Sequence, residues 1–153
     1  GELRPQLLDR FGLSVEVTTP DDLATRIDVV RRRDAFERDP EAFKAHWARA
    51  EGKLRRRLSK AKQRLSTSDV PDDTLEAAAR LCMSLGTDGL RGELTLVRAA
   101  RALAALDGDE SIDERHLKRV APTALRHRLR RNPLDEAGST VRIERAIEEL
   151  FGP

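Results

Sequence analysis

Apolar residues recur at helical spacing along most of the chain, and this pattern predicts a mainly α-helical protein of about seven helices. The first predicted helix is short and closes at Gly12. Directly after it, Leu13, Val15 and Val17 alternate with polar residues, which is the pattern of a β-strand. A single strand is not stable by itself. The sequence therefore predicts that the partners of this strand are missing or come from a neighbour, and that the chain is a piece of a longer protein.

Two helices are predicted in the next part of the chain. Thr19 is the expected N-cap of the first, with Pro20 in its first turn and the basic triplet 31–33 at its end, where cations complement the helix dipole. The second begins at 39–40 and runs to about Leu65. Basic residues line one face of this long helix: Lys53, Arg55, Arg56, Arg57, Lys60, Lys62 and Arg64. With few aromatic residues for stacking, this face is interpreted as solvated or as a surface for an acidic partner, ahead of nucleic acid.

Four amphipathic helices are predicted in the second half, and their wide apolar faces favour a helical bundle. Their predicted ranges are 71–85, 90–106, 111–125 and 141–150. Gly86 is the expected end of the first. Ser111 and Glu114 are expected to form a capping box at the start of the third, and Pro122 is expected to kink or split it. Pro133 predicts a further interruption before the last helix.

Composition agrees with a helical fold and narrows the classes of function. Hydrophobic residues make up 39% of the chain and aromatic residues only 3%, so the core is expected to be aliphatic. The 29 basic and 27 acidic side chains nearly cancel, so the net charge does not drive binding to nucleic acid. The single cysteine, Cys82, excludes an internal disulfide and a cysteine-based zinc site, and it is expected in the core. No apolar run is long enough for a membrane span, so a soluble protein is expected.

Motifs for self-contained catalysis are absent from the sequence. It contains no phosphate loop of the form G-x-x-x-x-G-K-[ST], no G-x-G-x-x-G, no H-E-x-x-H and no G-x-S-x-G. His46, His116 and His127 fall on different predicted helices without carboxylates at metal-ligand spacing. Each is interpreted as a surface residue, and no metal site is predicted. The carboxylates fall mostly at helix starts, where capping explains them.

Two arginines are candidate ligands for an anion. Arg10 follows Asp9 at the end of the first helix, next to the predicted strand, and can project from the rim of a sheet. Arg91 lies just inside the 90–106 helix, and Arg98 follows on the same stripe. A guanidinium is always charged and binds pairs of oxygens, so an arginine at the end of an element suits phosphate.

At this point the chain becomes recognisable, and three stretches carry the resemblance: "GELRPQLLDRFGLSVEV", "DGLRGELTLVRAARALAAL" and "HLKRVAPTALRHRLRRNPLDEAGS". In this order they resemble the carboxyl-terminal half of the ATPase I subunits of magnesium chelatases, which are AAA+ proteins. The resemblance implies an AAA+ lid and carboxyl-terminal helical bundle, preceded by a short helix–strand remnant of the α/β core. It divides the chain into 1–18 as the end of that core, 19–70 as a linker region with the long helix, and 71–153 as the lid.

The resemblance also implies roles for three residues. Arg10 is similar to the arginine finger of the family, which reaches across a subunit boundary to the γ-phosphate of a neighbour's ATP, and Asp9 would orient it. Arg91 is similar to the second sensor arginine, which touches the ATP phosphates. The phosphate loop, the Walker B acid and the first sensor residue would lie upstream of Gly1. The site for ATP and Mg²⁺ is therefore expected mostly in a missing amino-terminal half, and this chain alone is expected to be inactive.

The implied function is that of a motor subunit, which couples ATP hydrolysis to insertion of Mg²⁺ into protoporphyrin IX in the synthesis of chlorophyll or bacteriochlorophyll. Expected partners are further copies in a ring, commonly a hexamer, a related AAA+ bridging subunit with an integrin-like domain, and a large porphyrin-binding subunit. Nucleic acid is not expected as a partner. The bacterial cytoplasm is favoured over the plastid stroma. Alternatives are a cobalt chelatase or another metal-insertion AAA+ ATPase, a non-enzymatic helical binding module that uses the basic face, and a purely structural interaction domain.

Overall fold

The computed structural model describes residues 5–8, 10–87, 89–129 and 138–152. Within them the chain forms seven helices: α1 (Pro5–Leu8), α2 (Leu23–Arg38), α3 (Pro40–Leu65), α4 (Asp72–Leu85), α5 (Arg91–Asp107), α6 (Glu114–Leu125) and α7 (Ser139–Phe151). The mainly α-helical prediction is confirmed. The interruption predicted at Pro133 lies outside the described residues.

Contacts divide the chain into two units. One comprises residues 16–59, and the other, here called the bundle unit, comprises 1–15 together with 60–153. The 16–59 unit contains α2 and most of α3, and no residue of α2 is buried. Its side chains meet through aromatic contacts: the rings of Phe36 and Phe43 have centroids 5.7 Å apart, edge to face. Contacts between partly exposed side chains therefore hold this unit together, and α2 contributes no buried residue to it.

The basic triplet 31–33 lies in the middle of α2, so the helix end predicted there is wrong. Three ion pairs lie along this part of the helix, each between residues one helical turn apart: Arg32–Asp28 at 2.6 Å, Arg33–Glu37 at 2.6 Å and Arg38–Asp34 at 3.0 Å. Such pairs stabilise a helix, and no glycine or proline interrupts the sequence before Pro40. The helix therefore continues to Arg38.

The start of α2 also differs from the prediction, because Asp22 and not Thr19 is the N-cap. The Asp22 carboxylate accepts hydrogen bonds from the Thr25 hydroxyl and from the Thr25 backbone N–H, both at 2.7 Å. These two bonds hold the pKa of Asp22 below its ordinary value. The start of α3 at 39–40 and its end at Leu65 are confirmed.

The bundle unit has a core of aliphatic and alanine side chains. Helix α5 packs against α4 and α6, and α7 packs against the same two helices. Ala100 of α5 and Ala121 of α6 are fully buried, and such small residues let helices approach closely. Cys82 is buried in this core, as predicted. Helix α4 ends as predicted at Gly86, whose φ of 65° places it in the left-handed region that glycine favours.

Residues 13–17 do not form the predicted strand, and the described part of the chain contains only an isolated bridge between Asp69 and Ser111. The prediction is wrong because a strand needs a hydrogen-bonded neighbour, and none runs beside this segment in the described residues. Val15 and Val17 are 67% and 89% exposed. The helix–strand remnant thus consists of a short helix and a segment without regular secondary structure.

Helix α6 begins with a cap other than the predicted pair of Ser111 and Glu114. The Asp113 carboxylate accepts from the His116 N–H at 3.2 Å, and His116 Nδ1 accepts from the Asp113 N–H at 3.1 Å. His116 Nε2 lies 3.0 Å from Asp109 Oδ2, and the imidazole is buried. The surface prediction for His116 is therefore wrong, because the imidazole takes the role that glutamate or glutamine usually has in a capping box.

Helix α6 continues through Pro122 to Leu125, so the predicted split does not occur. Ala121 and Leu125, on either side of the proline in sequence, are both fully buried in the core. Packing therefore holds the helix together where the local sequence favours a break.

Candidate functional site

Arg10 lies in the turn that follows α1. Its backbone N–H donates to the Leu7 carbonyl at 3.1 Å, and the residue is exposed. Among the described residues its guanidinium makes no hydrogen bond or ion pair. Because a guanidinium stays charged, Arg10 can bind an anion that reaches it from outside the chain. Asp9, which was predicted to orient it, lies outside the described residues.

The peptide that follows Arg10 is held by the carboxyl end of α6. The Phe11 carbonyl oxygen lies 2.8 Å from His127 Nε2 and accepts a hydrogen bond from the Arg128 guanidinium at 2.8 Å. Three residues further on, the Ser14 N–H donates to the Thr123 carbonyl at 2.8 Å. These contacts join positions more than 100 residues apart in sequence. They fix the backbone next to Arg10 on the bundle unit.

Arg91 is the first residue of α5, and its side chain is exposed. Gly89, with a φ of 66°, turns the chain just before the helix. Gly92 is buried, and a Cβ there would lie 3.1 Å from Thr87 Oγ1 and 3.4 Å from Cys82 Sγ. The first turn of α5 therefore rests against the end of α4 at a distance that suits glycine. This contact fixes the place where Arg91 leaves the bundle, beside the positive end of the helix dipole.

One face of α5 connects the two candidate arginines. Arg91, Thr95 and Arg98 lie on this face at helical spacing, and both arginines are exposed. A Cβ on Gly12 would lie 3.9 Å from the Thr95 methyl group, and the Thr95 hydroxyl accepts from the Arg128 guanidinium at 3.3 Å. The segment that carries Arg10 thus packs on the α5 face that carries Arg91. The bundle unit thus carries the two arginines on adjoining segments, and a guanidinium is a group that can bind phosphate.

Other candidate residues take no part in this arrangement. Burial raises the pKa of the Cys82 thiol to about 12, and the nearby Glu93 carboxylate adds to the effect, so the thiol is not a nucleophile at neutral pH. His46 is exposed, as predicted. Sequence reasoning missed the contacts of His127 and Arg128, because their partner is a distant carbonyl that no local pattern specifies. The run of basic residues "RHR" at 126–128 was the only signal.

Comparison with known proteins shows which protein family the chain resembles in sequence. The AAA lid domain family matches residues 75–149. Over 151 residues the chain is 62% identical to the magnesium-chelatase 38 kDa subunit of Acidiphilium rubrum, 56% to that of Rhodobacter capsulatus and 55% to that of Cereibacter sphaeroides. Each match covers 99% of this chain. The chain spans 44%, 43% and 45% of the lengths of those relatives.

A search of the described residues for helices that are both long and apolar enough to cross a membrane finds none. The similarity to the 38 kDa subunits covers nearly the whole chain, and the lid match falls on the helices of the bundle unit. The chain therefore belongs to the AAA+ family of the magnesium-chelatase 38 kDa subunits, and its residues 75–149 are an AAA lid domain.

Proposed function

We propose that this chain is the part of a magnesium-chelatase motor subunit that supplies the arginine finger, Arg10, and the second sensor arginine, Arg91. In this role Arg10 reaches the γ-phosphate of ATP bound to the neighbouring copy, and Arg91 contacts ATP phosphates through the lid. The subunit couples ATP hydrolysis to insertion of Mg²⁺ into protoporphyrin IX. The site for ATP and its Mg²⁺ lies mostly in another part of the protein, so the chain alone is inactive.

The observation that carries this proposal is the state of the Arg10 side chain. It is exposed, and its guanidinium has no hydrogen bond or ion pair among the described residues, while the adjoining backbone is fixed by α6. A guanidinium that is exposed, on a backbone that is held in place, can bind an anion supplied by another molecule. Such arginines stabilise charge that develops during phosphoryl transfer, and in GTPases they accelerate the reaction by about 10³ to 10⁵.

The remaining parts of the proposal concern organisation. Residues 1–18 would complete an α/β core, 19–70 would link it to the lid, and 71–153 would form the lid region, which the lid match at 75–149 supports. Asp9 would orient Arg10. The partners would be further copies in a ring, an AAA+ bridging subunit with an integrin-like domain, and a large porphyrin-binding subunit. The place of action would be the bacterial cytoplasm.

A chimeric subunit tests the proposal directly. This chain replaces the matched 151 residues of the Rhodobacter capsulatus subunit, and ATP turnover and ring assembly are measured. The chimera is expected to hydrolyse ATP, and Arg10→Ala is expected to lower kcat by at least about 100-fold with the ring intact. Arg10→Lys is also expected to lose most of the activity, since an ammonium cannot bind two oxygens in a fork. Arg91→Ala is expected to abolish turnover as well.

Arg145→Ala is the matched control, because Arg145 is an exposed arginine of α7 in the same unit. It is expected to leave turnover within about twofold of the parent chimera. Mixing Arg10→Ala subunits with subunits that carry an inactive phosphate loop distinguishes action in trans, because only mixed rings can then pair an intact finger with an intact site. Full turnover in the Arg10→Ala ring would remove the finger assignment.

A second candidate is a binding module that uses the basic face of α3. The observation in its favour is that the basic residues of this face are all exposed: Lys53, Arg55, Arg56, Arg57, Lys60, Lys62 and Arg64. A steep fall of DNA affinity with rising salt would support this function. A cobalt chelatase is distinguished from a magnesium chelatase by measuring which metal the chimera, together with its two partner subunits, inserts into porphyrin.

A further inference from the structure

Resting on the proposed function, we propose that Arg128 is a positioning residue for Arg10, and that it links the finger segment to the lid helix that carries Arg91. The finger segment is defined here as residues 10–15. Arg128 lies just beyond α6 and is partly buried, so it does not reach solvent as Arg10 does. Its role is to set where the finger segment lies.

Apolar burial does not fix the finger segment. Phe11 is 54% exposed, Leu13 is 56% exposed and Val15 is 67% exposed. The hydrophobic effect scales with the area removed from water, so these half-exposed side chains gain only a fraction of their full burial energy. The position of the segment therefore depends on its hydrogen bonds to the bundle unit.

Most of those hydrogen bonds converge on one peptide. The Phe11 carbonyl accepts from Arg128 at 2.8 Å and lies 2.8 Å from His127 Nε2, and it belongs to the residue directly after Arg10. Bonds from a charged donor are shorter and stronger than neutral ones. Arg128 thus holds the chain one residue away from the proposed finger, and a shift at Phe11 moves the base of the Arg10 side chain.

The same guanidinium also contacts α5 and α6. It donates to the Thr95 hydroxyl at 3.3 Å and to the Ala124 carbonyl at 3.2 Å. Thr95 lies one turn after Arg91 on the same face of α5. Arg128 is therefore a single group that joins the finger segment, the sensor helix and the end of α6. A movement of α5 when Arg91 meets phosphate would pass through Arg128 to the base of Arg10.

The first test measures amide hydrogen exchange by NMR in the full 153-residue chain, which needs no activity. The reporter is the Ser14 N–H, which donates to the Thr123 carbonyl at 2.8 Å. In Arg128→Met its exchange is expected to rise by about tenfold, because the segment opens locally while the core stays folded. The buried Ala100 amide in α5 reports on the core and is expected to stay unchanged.

Arg126→Met is the matched control, because Arg126 lies two positions earlier and its guanidinium donates to the Thr140 hydroxyl at 3.0 Å, not to the finger segment. It is expected to leave Ser14 exchange unchanged. Arg128→Lys keeps the charge and one donor group. Ser14 exchange in this variant is expected to lie between that of the parent chain and that of Arg128→Met. Faster exchange at Ala100 in Arg128→Met would mean that the core itself is destabilised. In that case Ser14 exchange is measured in Arg128→Lys and Thr95→Val, which are milder changes. Unchanged Ser14 exchange in the folded variants would overturn the positioning role.

The second test uses ATP turnover of the chimera. Arg128→Met is expected to lower kcat by about 10- to 100-fold, because a displacement of about 1 Å at a catalytic group has effects of that size. KM for ATP is expected to stay within about twofold, since α5, which carries Arg91, keeps its packing against α4 and α6. Arg128→Lys is expected to recover part of kcat. An unchanged kcat beside an inactive Arg10→Ala ring would overturn this inference alone. An active Arg10→Ala ring would instead overturn the proposed function.

Discussion

Replacement of the buried His116 by alanine is expected to destabilise the bundle unit by about 3 kcal/mol. The bond from Nε2 to Asp109, at 3.0 Å, accounts for about 1.5 kcal/mol of this, because the acceptor is charged but 40% exposed. The bond from the Asp113 N–H to Nδ1, at 3.1 Å, adds about 1 kcal/mol. The remainder, about 1 kcal/mol or less, is the cost of the space left by a fully buried ring.

His116→Gln separates these contributions. A glutamine at this position can still accept the N-cap N–H, as in an ordinary capping box, but it does not reproduce the ring contact with Asp109. The expected loss is therefore smaller, about 1 to 2 kcal/mol. His46→Ala is the control, because His46 is exposed and lies in the other unit. It is expected to change the stability of the bundle by less than about 0.5 kcal/mol.

The assay is unfolding in urea, followed by the reaction of Cys82 with a thiol reagent. Cys82 is fully buried in the core of the bundle unit and is the only cysteine, so its labelling reports on this unit alone. Trp47, the only tryptophan, lies in the 16–59 unit, and its fluorescence does not report on the bundle. A loss below about 1 kcal/mol for His116→Ala would refute the importance of the buried contacts. Equal losses for alanine and glutamine would refute the capping role.

Three further predictions concern local features of the same unit. The pKa of about 12 for Cys82 leaves only about 10⁻⁴ of the thiol ionised at pH 8, so the folded chain is expected to resist iodoacetamide, and rapid labelling without urea would contradict this. Gly86→Ala is expected to cost about 1 kcal/mol in urea unfolding, and Gly86→Asn less, because φ is 65°; equal stability of all three would contradict the strain. Burial alone would raise the pKa of Asp113, but the hydrogen bond from the His116 backbone N–H and the charge of Arg115 outweigh it and lower the pKa. The resulting stabilisation is present above the unfolded pKa near 3.8 and is expected to disappear as the pH falls through the lower folded value, a slope that Asp113→Asn should remove.

The sequence predicts those parts of the fold that depend on neighbours a few positions away. The apolar stripes of α4, α5 and α7 and the glycine that ends α4 lie where the pattern places them. The prolines are less reliable signals. Pro40 starts α3 as predicted, while Pro122 is accommodated inside α6 by buried residues around it.

Predictions fail where a residue depends on a partner far away in sequence. The alternation at 13–17 is a sound signal for a strand, but the segment lacks a neighbouring strand in the described residues and forms no regular secondary structure. Histidine is polar and does not contribute to the apolar pattern of a helix. The burial of His116 against Asp109 and Asp113 therefore could not be predicted from the sequence. The contact between Arg128 and Phe11 is of the same kind. The proposed roles of Arg10 and Arg91 came from resemblance, and they stay predictions.

The finger segment can be regarded as a short peptide ligand that is attached to its own receptor. Its three hydrogen bonds to the end of α6, at 2.8 Å each, would together contribute about 3 kcal/mol, which corresponds to a dissociation constant in the millimolar range for a separate peptide. Connection through residues 16–59 makes binding intramolecular, so it does not depend on the protein concentration. The segment therefore stays bound in most molecules, and it can leave and return without unfolding the core. A single proteolytic cut within 16–59 would turn this attachment into a weak bimolecular encounter and release Arg10 from the lid.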